Sequence, residues 1–456
     1  MWFRSFITKS INPTLIACGA FAVFIVFAVV TRRCLLADGS YCMVRVLETG
    51  HFVPIVACRS FAAYVYQLPL IIALKLRMTG IPWLSLVFGI GCFWVWPVAM
   101  VLCYLLAPRH FWLVMFACAA GYLNAAFVAV GEHIMAHAIF WPALFAILYV
   151  RPLTPFASAA LLGSSILLMR SYESMLFLGP LLIALVIWRM ISERENLWRQ
   201  MVLAAAVVFL AAATDIALGG VEHPNPINYY GFKHGPMVEL QTPTWTLQMT
   251  VLWAVIMLFS MYSRAAKVLR SPAGLIVTGL IVLFWGAWPL LAPRQLDPAS
   301  QYECRFLDLL VPLVLAPFAV VLSVRPKWLV AQLPDLTRLA AMMLVAQSLW
   351  QISATRNWQG YIGFWERLLA NVDGPVVVSN NDDLGKFDHL YFTWANPCLS
   401  LMVGPAHVQA IILPSRPTGW MPFNPFNPKS LPDLKRYGVD YSEYIESLRR
   451  QKLIQR

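Results

Sequence analysis

The chain has 456 residues, 60% of them hydrophobic and 12% charged, with a net charge of +12 and a mean hydropathy of +0.66. Soluble domains carry about 25% charged residues, so this composition excludes an ordinary soluble fold and points to a helical protein crossing a membrane several times. The basic excess sits mostly in short stretches between apolar runs, where Lys and Arg orient spans, and is not a nucleic-acid signature.

The first apolar run, 13–31, lacks a small-residue cleavage site before Thr31, Arg32 and Arg33 and reads as a retained span. A carboxylate follows it at Asp38, with Gly39, Ser40 and Tyr41 behind. Tyr41, Val44 and Leu47 then recur at helical spacing up to a stop at Gly50. Further spans are expected at 83–107, 112–130, 134–150, 154–170, 172–190, 200–218, 247–264, 273–291, 305–323 and 338–353, about eleven in all. The run 61–77 is short, contains Gln67 and Pro69, and ends in Lys75 and Arg77. It reads as a broken interfacial or re-entrant helix inside a long first external loop, about 32–82.

That choice settles the parity of the chain. If 61–77 does not cross, the basic groups at Arg4, Arg109, Arg151, Arg189, Arg264 and Arg325 share the cytoplasmic side; if it crosses, the charge rule reverses. The N-terminus is then cytoplasmic and the C-terminus external. Asp38, Glu48, Arg59, Glu132, Arg170, Glu173, His223 and Arg305 all fall on the external face.

After Ser353 the composition changes. An amphipathic helix is expected over Trp358–Leu369, short strands at Pro375–Ser379 and Ala410–Leu413, a Pro- and Asn-rich loop over 414–428, and a polar helix over Tyr441–Gln451. The fold expected is an all-α polytopic membrane domain, 1–353, with a small extracytoplasmic α/β appendage, 354–456. The nine cysteines show no C-x-x-C pair, so zinc is not indicated. Cys18, Cys92, Cys103 and Cys118 read as packing residues; a disulfide among Cys34, Cys42, Cys58, Cys304 and Cys398 has no supporting spacing.

The segment Asp38 to Tyr41, with Leu47, Glu48, Thr49, Gly50, His51 and Phe52, resembles the first external loop of the GT-C glycosyltransferases. These membrane enzymes include protein O-mannosyltransferases and the lipid A aminoarabinose transferase. In that family an acidic residue and a juxtamembrane helix follow the first span, and a Pro-containing helix precedes the second, as Gln67–Leu74 does here. The resemblance covers roughly the first 135 residues, with a weaker echo near Arg305. Gly39 stands where many relatives carry a second acid.

The resemblance implies a GT-C-like arrangement at a bacterial inner membrane, acting on the periplasmic side. A sugar would pass with inversion from a polyprenyl-phosphate donor to a glycan, lipid or protein acceptor. A carboxylate within reach of the acceptor hydroxyl serves as general base, and Asp38 is the candidate, a helix cap being its alternative role. Glu132 resembles the family's second-loop acid, which orients the acceptor or a metal. Arg305 resembles the arginine that meets the donor phosphate. Arg170 and Arg59 are further phosphate candidates, since a guanidinium fork suits phosphate oxygens, with an ion pair to Glu173 as the competing role of Arg170. Glu48, His133, His137 and Glu173 complete the acceptor side. Glu132, His133 and His137 could hold a divalent metal, but the pattern does not indicate one. Two other classes remain open: a transporter or flippase, and a polymerase or ligase of lipid-linked glycans.

Overall fold

The computed structural model describes residues 12–124, 131–193, 196–222, 272–291, 301–324, 333–377, 390, 393–413 and 421–453. Its helices are α1 (Pro13–Val30), α2 (Asp38–Thr49), α3 (Ser60–Lys75), α4 (Ile81–Phe93), α5 (Val95–Leu106), α6 (Phe111–Ala120), α7 (Glu132–Tyr149), α8 (Pro155–Leu168), α9 (Met175–Ser192) and α10 (Leu197–Glu222). They continue with α11 (Pro272–Leu291), α12 (Gln301–Ser323), α13 (Leu333–Leu369), α14 (Asn396–Val403) and α15 (Ser442–Arg450). Among the described residues, six helical stretches are long and apolar enough to cross a membrane. The chain is therefore a polytopic, almost entirely helical membrane protein.

Local chemistry accounts for the element boundaries. Asn12 caps α1 by accepting the Thr14 amide at 3.1 Å, with Pro13 in the first helical position. The run at 83–107 begins at Ile81 and is interrupted at Trp94, between α4 and α5. Pro97 causes the interruption: it has no amide for the Phe93 carbonyl, and its ring crowds that turn. The span expected at 112–130 is shorter than predicted, because α6 stops after Ala120. The expected span at 338–353 and the amphipathic helix at 358–369 are one element, the 37-residue α13. At 1.5 Å per residue it is roughly 55 Å long, well beyond a ~30 Å hydrocarbon layer. The expected span at 247–264 lies outside the described residues.

The innermost helix is α7, buried from His133 to Leu148. It is apolar on all sides, as a helix enclosed by others must be. Its last carbonyls, which lack intrahelical partners, are closed by Arg189 from α9, fully buried, donating to Ala146, Ile147 and Val150 at 2.8, 2.9 and 2.8 Å.

One expectation is corrected in α3. Gln67 and Pro69 do not break it; the helix runs through Pro69 without interruption. With the turn before it, the stretch Ala57–Lys75 is one of the six long and apolar enough to cross a membrane. The amides of Phe61 and Ala62 donate to the Arg170 carbonyl at 2.9 and 3.4 Å, in the turn between α8 and α9. The other end passes through Gly80, at φ +89, into α4. There the Cys34 thiol, just past α1, donates to the Ser85 carbonyl at 3.5 Å.

The hairpin of α3 against α4 is tight at Gly91, where a Cβ would lie 2.0 Å from the Tyr66 carbonyl oxygen. Since the obstacle is backbone, the helices must separate. Gly91→Ala is expected to destabilise the protein by about 1–3 kcal/mol, whereas Gly19→Ala, with nothing within 4 Å, is expected to be neutral or slightly stabilising. Thermal melts of the two purified variants, side by side in one detergent, check this.

Beyond α13, two strands pair in parallel, β1 (Gly374–Val377) with β2 (Ala410–Leu413), and α14 supplies part of the crossover between them. The first strand starts one residue before the expected Pro375 and the second matches its expected range. The eight described cysteines are free thiols, and Cys34, Cys42 and Cys398, expected outside the spans, are buried packing residues.

Candidate functional site

The polar residues of this apolar chain gather where α2, α3, α7 and α9 begin. The chain enters α2 through two non-glycine residues at positive φ, Arg32 at 55° and Ala37 at 48°. Such conformations cost of order 1–3 kcal/mol each and occur where the surrounding structure overrides them. Ala37, not Asp38, occupies the cap position, and no side chain caps the helix. This corrects the helix-cap alternative. Asp38 is the first helical residue, half-buried, with its charge beside the partial positive charge of the helix start.

At the start of α3 stands Arg59, 6% exposed. Its Nε donates to both Glu173 oxygens at 3.0 and 2.9 Å, and its Nη2 to Oε1 at 2.6 Å. On its other side, Nη1 lies 3.8 Å from Glu132, the first residue of α7. The Tyr172 ring lies under the guanidinium at 4.7 Å. One cation thus serves two nearly buried carboxylates from two other elements, with an aromatic face closing the third side.

The loop that delivers Arg59 is pinned from inside. The Gln67 side chain accepts the Val53 amide at 2.8 Å and donates to the Val53 carbonyl at 3.0 Å, much as a neighbouring strand would. Gln67 also donates to the Tyr66 hydroxyl, which stands 3.3 Å from the Cys42 thiol on α2. Cys42 links the two halves of the site. Burial raises its thiol well above the ordinary cysteine value, and the negative charges of Asp38 and Glu132 raise it further. Both carboxylates are therefore within electrostatic range of the same buried sulfur.

At the second residue of α7, the His133 ring packs near Tyr172 at 5.6 Å and folds back over Gly131, where a Cβ would meet it at 2.5 Å. His137, 2% exposed, has Nε2 at 3.2 Å from the Ser174 hydroxyl and ties α7 to the start of α9. Among the described residues no group of three or more His, Cys, Asp or Glu is arranged to hold a metal ion. Glu132, His133 and His137 are thus close in the chain without forming a ligand set.

Of the residues expected at the site, Arg59, Glu132, Glu173, His133 and His137 are together, and Asp38 is related to them through its electrostatic effect on Cys42. Glu173 pairs with Arg59, not with Arg170, whose side chain is exposed while its carbonyl anchors α3. Glu48 is on another face of α2: it pairs with Arg45 and lies toward Cys398 and Tyr441 of the C-terminal segment. Arg305 belongs to α12, but its side chain lies outside the described residues, as does His223. Sequence reasoning missed Tyr172, Cys42, Tyr66 and Gln67. Only Gln67, an amide in an otherwise apolar helical run, carried a signal that could have found it.

No family model, curated protein or solved structure matches this chain.

Proposed function

We propose that this protein is an inverting glycosyltransferase of the GT-C type. It would move a sugar from a polyprenyl-phosphate donor to a glycan, lipid or protein acceptor on the extracytoplasmic face of a bacterial inner membrane. The observation that supports this reading best is the joining of Glu132 and Glu173 by Arg59 in an apolar bundle, with Asp38 and Glu132 both within electrostatic range of Cys42. Charged groups in a membrane domain are costly and mark working sites. The proposal includes about eleven spans, with α3 as a non-crossing helix of the first external loop, and an extracytoplasmic C-terminal unit over 354–456.

In this mechanism the acceptor oxygen attacks the anomeric carbon and Asp38 takes its proton. The bond from that carbon to the phosphate oxygen breaks, and polyprenyl phosphate leaves with the electron pair. Glu132 orients the acceptor. Arg170, exposed but anchored through its own carbonyl, and Arg305 meet the phosphate, whose developing charge needs cations. Arg59 holds Glu132 and Glu173 in place.

The test is transfer from membrane-extracted polyprenyl-phosphate sugars by Asp38→Asn protein that inserts and melts like the wild type. Turnover is expected to drop about 100-fold or more, the scale of a lost general base. Full activity in this variant would remove Asp38 from the mechanism. A wild-type protein inactive with every lipid-linked sugar, yet moving such lipids between leaflets, would point to a flippase instead.

A further inference from the structure

We infer that Arg436 is a positioning residue for α2 and, through it, for Asp38, so that the C-terminal segment acts as a clamp on the helix carrying the proposed base. The consequence for catalysis rests on the role proposed for Asp38; the clamp itself does not.

The first observation is at the far end of α2. That helix ends at Gly50, at φ +71, whose amide donates to the Val46 carbonyl at 2.8 Å. The next carbonyl, Leu47, has no intrahelical donor left and receives Arg436 Nη2 at 2.6 Å, from 389 positions away in the chain. A Cβ on Gly50 would lie 3.4 Å from the same nitrogen, so glycine both permits the turn and gives the guanidinium its passage. A cation at a helix C-terminus meets the partial negative charge there. The helix thus has a carboxylate in its first turn and an arginine at its last.

A second contact lies near the beginning of α2, where the Trp394 ring meets Tyr41 edge-on, with centroids 6.2 Å apart. The arginine is carried on a firm support. Its guanidinium lies 4.8 Å over the Tyr437 ring, and the turn beneath it closes through the Tyr437 amide to Leu434 at 2.9 Å. Just beyond, Asp440 exchanges backbone hydrogen bonds of 2.8 Å with Ala406 and Val408, next to β2.

The buried face of α2 packs along its length, with Cys42, Met43, Val44, Val46 and Leu47 at most 1% exposed, and Arg436 adds a polar attachment that fixes the end of the helix. A displacement of about 1 Å at a reacting group can cost about 100-fold in rate, so the second attachment matters to Asp38 even though it is roughly 15 Å away along the helix.

The test uses the full chain in lipid nanodiscs, with Arg436→Ala, Arg436→Gln and Arg436→Lys. Amide hydrogen exchange across α2 is expected to accelerate about tenfold or more in the alanine and glutamine variants, the scale of one charge-assisted hydrogen bond. Lysine should restore protection at least in part, and exchange in α7 should not change. In transfer from extracted polyprenyl-phosphate sugars, kcat should drop about tenfold while KM for the donor stays within about twofold. Unchanged α2 exchange in the alanine variant would overturn the clamp. Faster exchange with unchanged kcat would overturn the positioning of Asp38. Faster exchange in a protein whose Asp38→Asn variant keeps full activity would leave the clamp standing and remove the base assignment alone.

Discussion

Replacing Arg59 with alanine is expected to destabilise the protein by about 3–5 kcal/mol, the penalty for leaving a buried carboxylate without its cation. Glu173 loses a two-pronged partner at 2.6 to 3.0 Å, and Glu132 loses a charge at 3.8 Å. Both glutamates are only 12% exposed, so water cannot substitute freely. The expected readout is a thermal transition at least about 5 °C lower in detergent, or failure to accumulate in the membrane. Arg59→Lys should lie between alanine and wild type, because it keeps the charge but cannot fork across both Glu173 oxygens. Glu173→Gln should cost less than Arg59→Ala, since the arginine it leaves still has Glu132 and the Tyr172 ring. Equal melting of Arg59→Ala and wild type would mean that the carboxylates are hydrated or protonated in the native protein.

The parts of this fold that follow from local rules were legible in the sequence. The start of α1 at Asn12 and Pro13 rests on capping, the stop of α2 at Gly50 on glycine freedom, the strand at Ala410–Leu413 on a short apolar run rich in isoleucine, and the final helix near Tyr441 on its polar, amphipathic pattern. What could not be read locally depended on tertiary contact. Pro69 suggested a break, but packing against α4 holds α3 together around it. The run at 112–130 looked long enough to cross, yet its helix ends at Ala120. The site shows the same division. Charged residues next to apolar runs were easy to single out. Their pairing was not, because Glu173 has Arg170 as its near neighbour in sequence and Arg59, 114 positions away, as its partner in space. Glu48, in the most motif-like part of the first loop, is directed to the C-terminal segment because a helix sends residues ten apart to different surroundings.

The second large effect is expected at Arg33, where a fully buried guanidinium joins the end of α1 to α13. It donates to the Thr355 hydroxyl and the Gln351 side-chain oxygen, both at 2.6 Å, and to the Gln351 carbonyl at 3.1 Å. Gln351 in turn donates to the Leu123 carbonyl at 2.9 Å, carrying the network to the turn after α6. Phe24 lies 5.6 Å beneath the cation. Arg33→Ala removes the donors and leaves a void the length of the side chain, so about 3–5 kcal/mol of destabilisation is expected. Arg33→Met separates the two causes. It refills much of the void and removes a charge that is costly to bury, but leaves the Gln351 oxygen without its arginine donor, which should cost about 1–3 kcal/mol. Adding Gln351→Leu removes that stranded oxygen but also leaves the Leu123 carbonyl without its donor. The double variant is therefore expected to recover part of the loss of Arg33→Met and no more. Thermal melts of Arg33→Met, Gln351→Leu and the double variant, taken with the wild type, close a double-mutant cycle and measure the coupling directly. If Arg33→Met alone matched the wild type, the network would be hydrated and the arginine would contribute to the α1–α13 contact through its hydrocarbon stem rather than its charge.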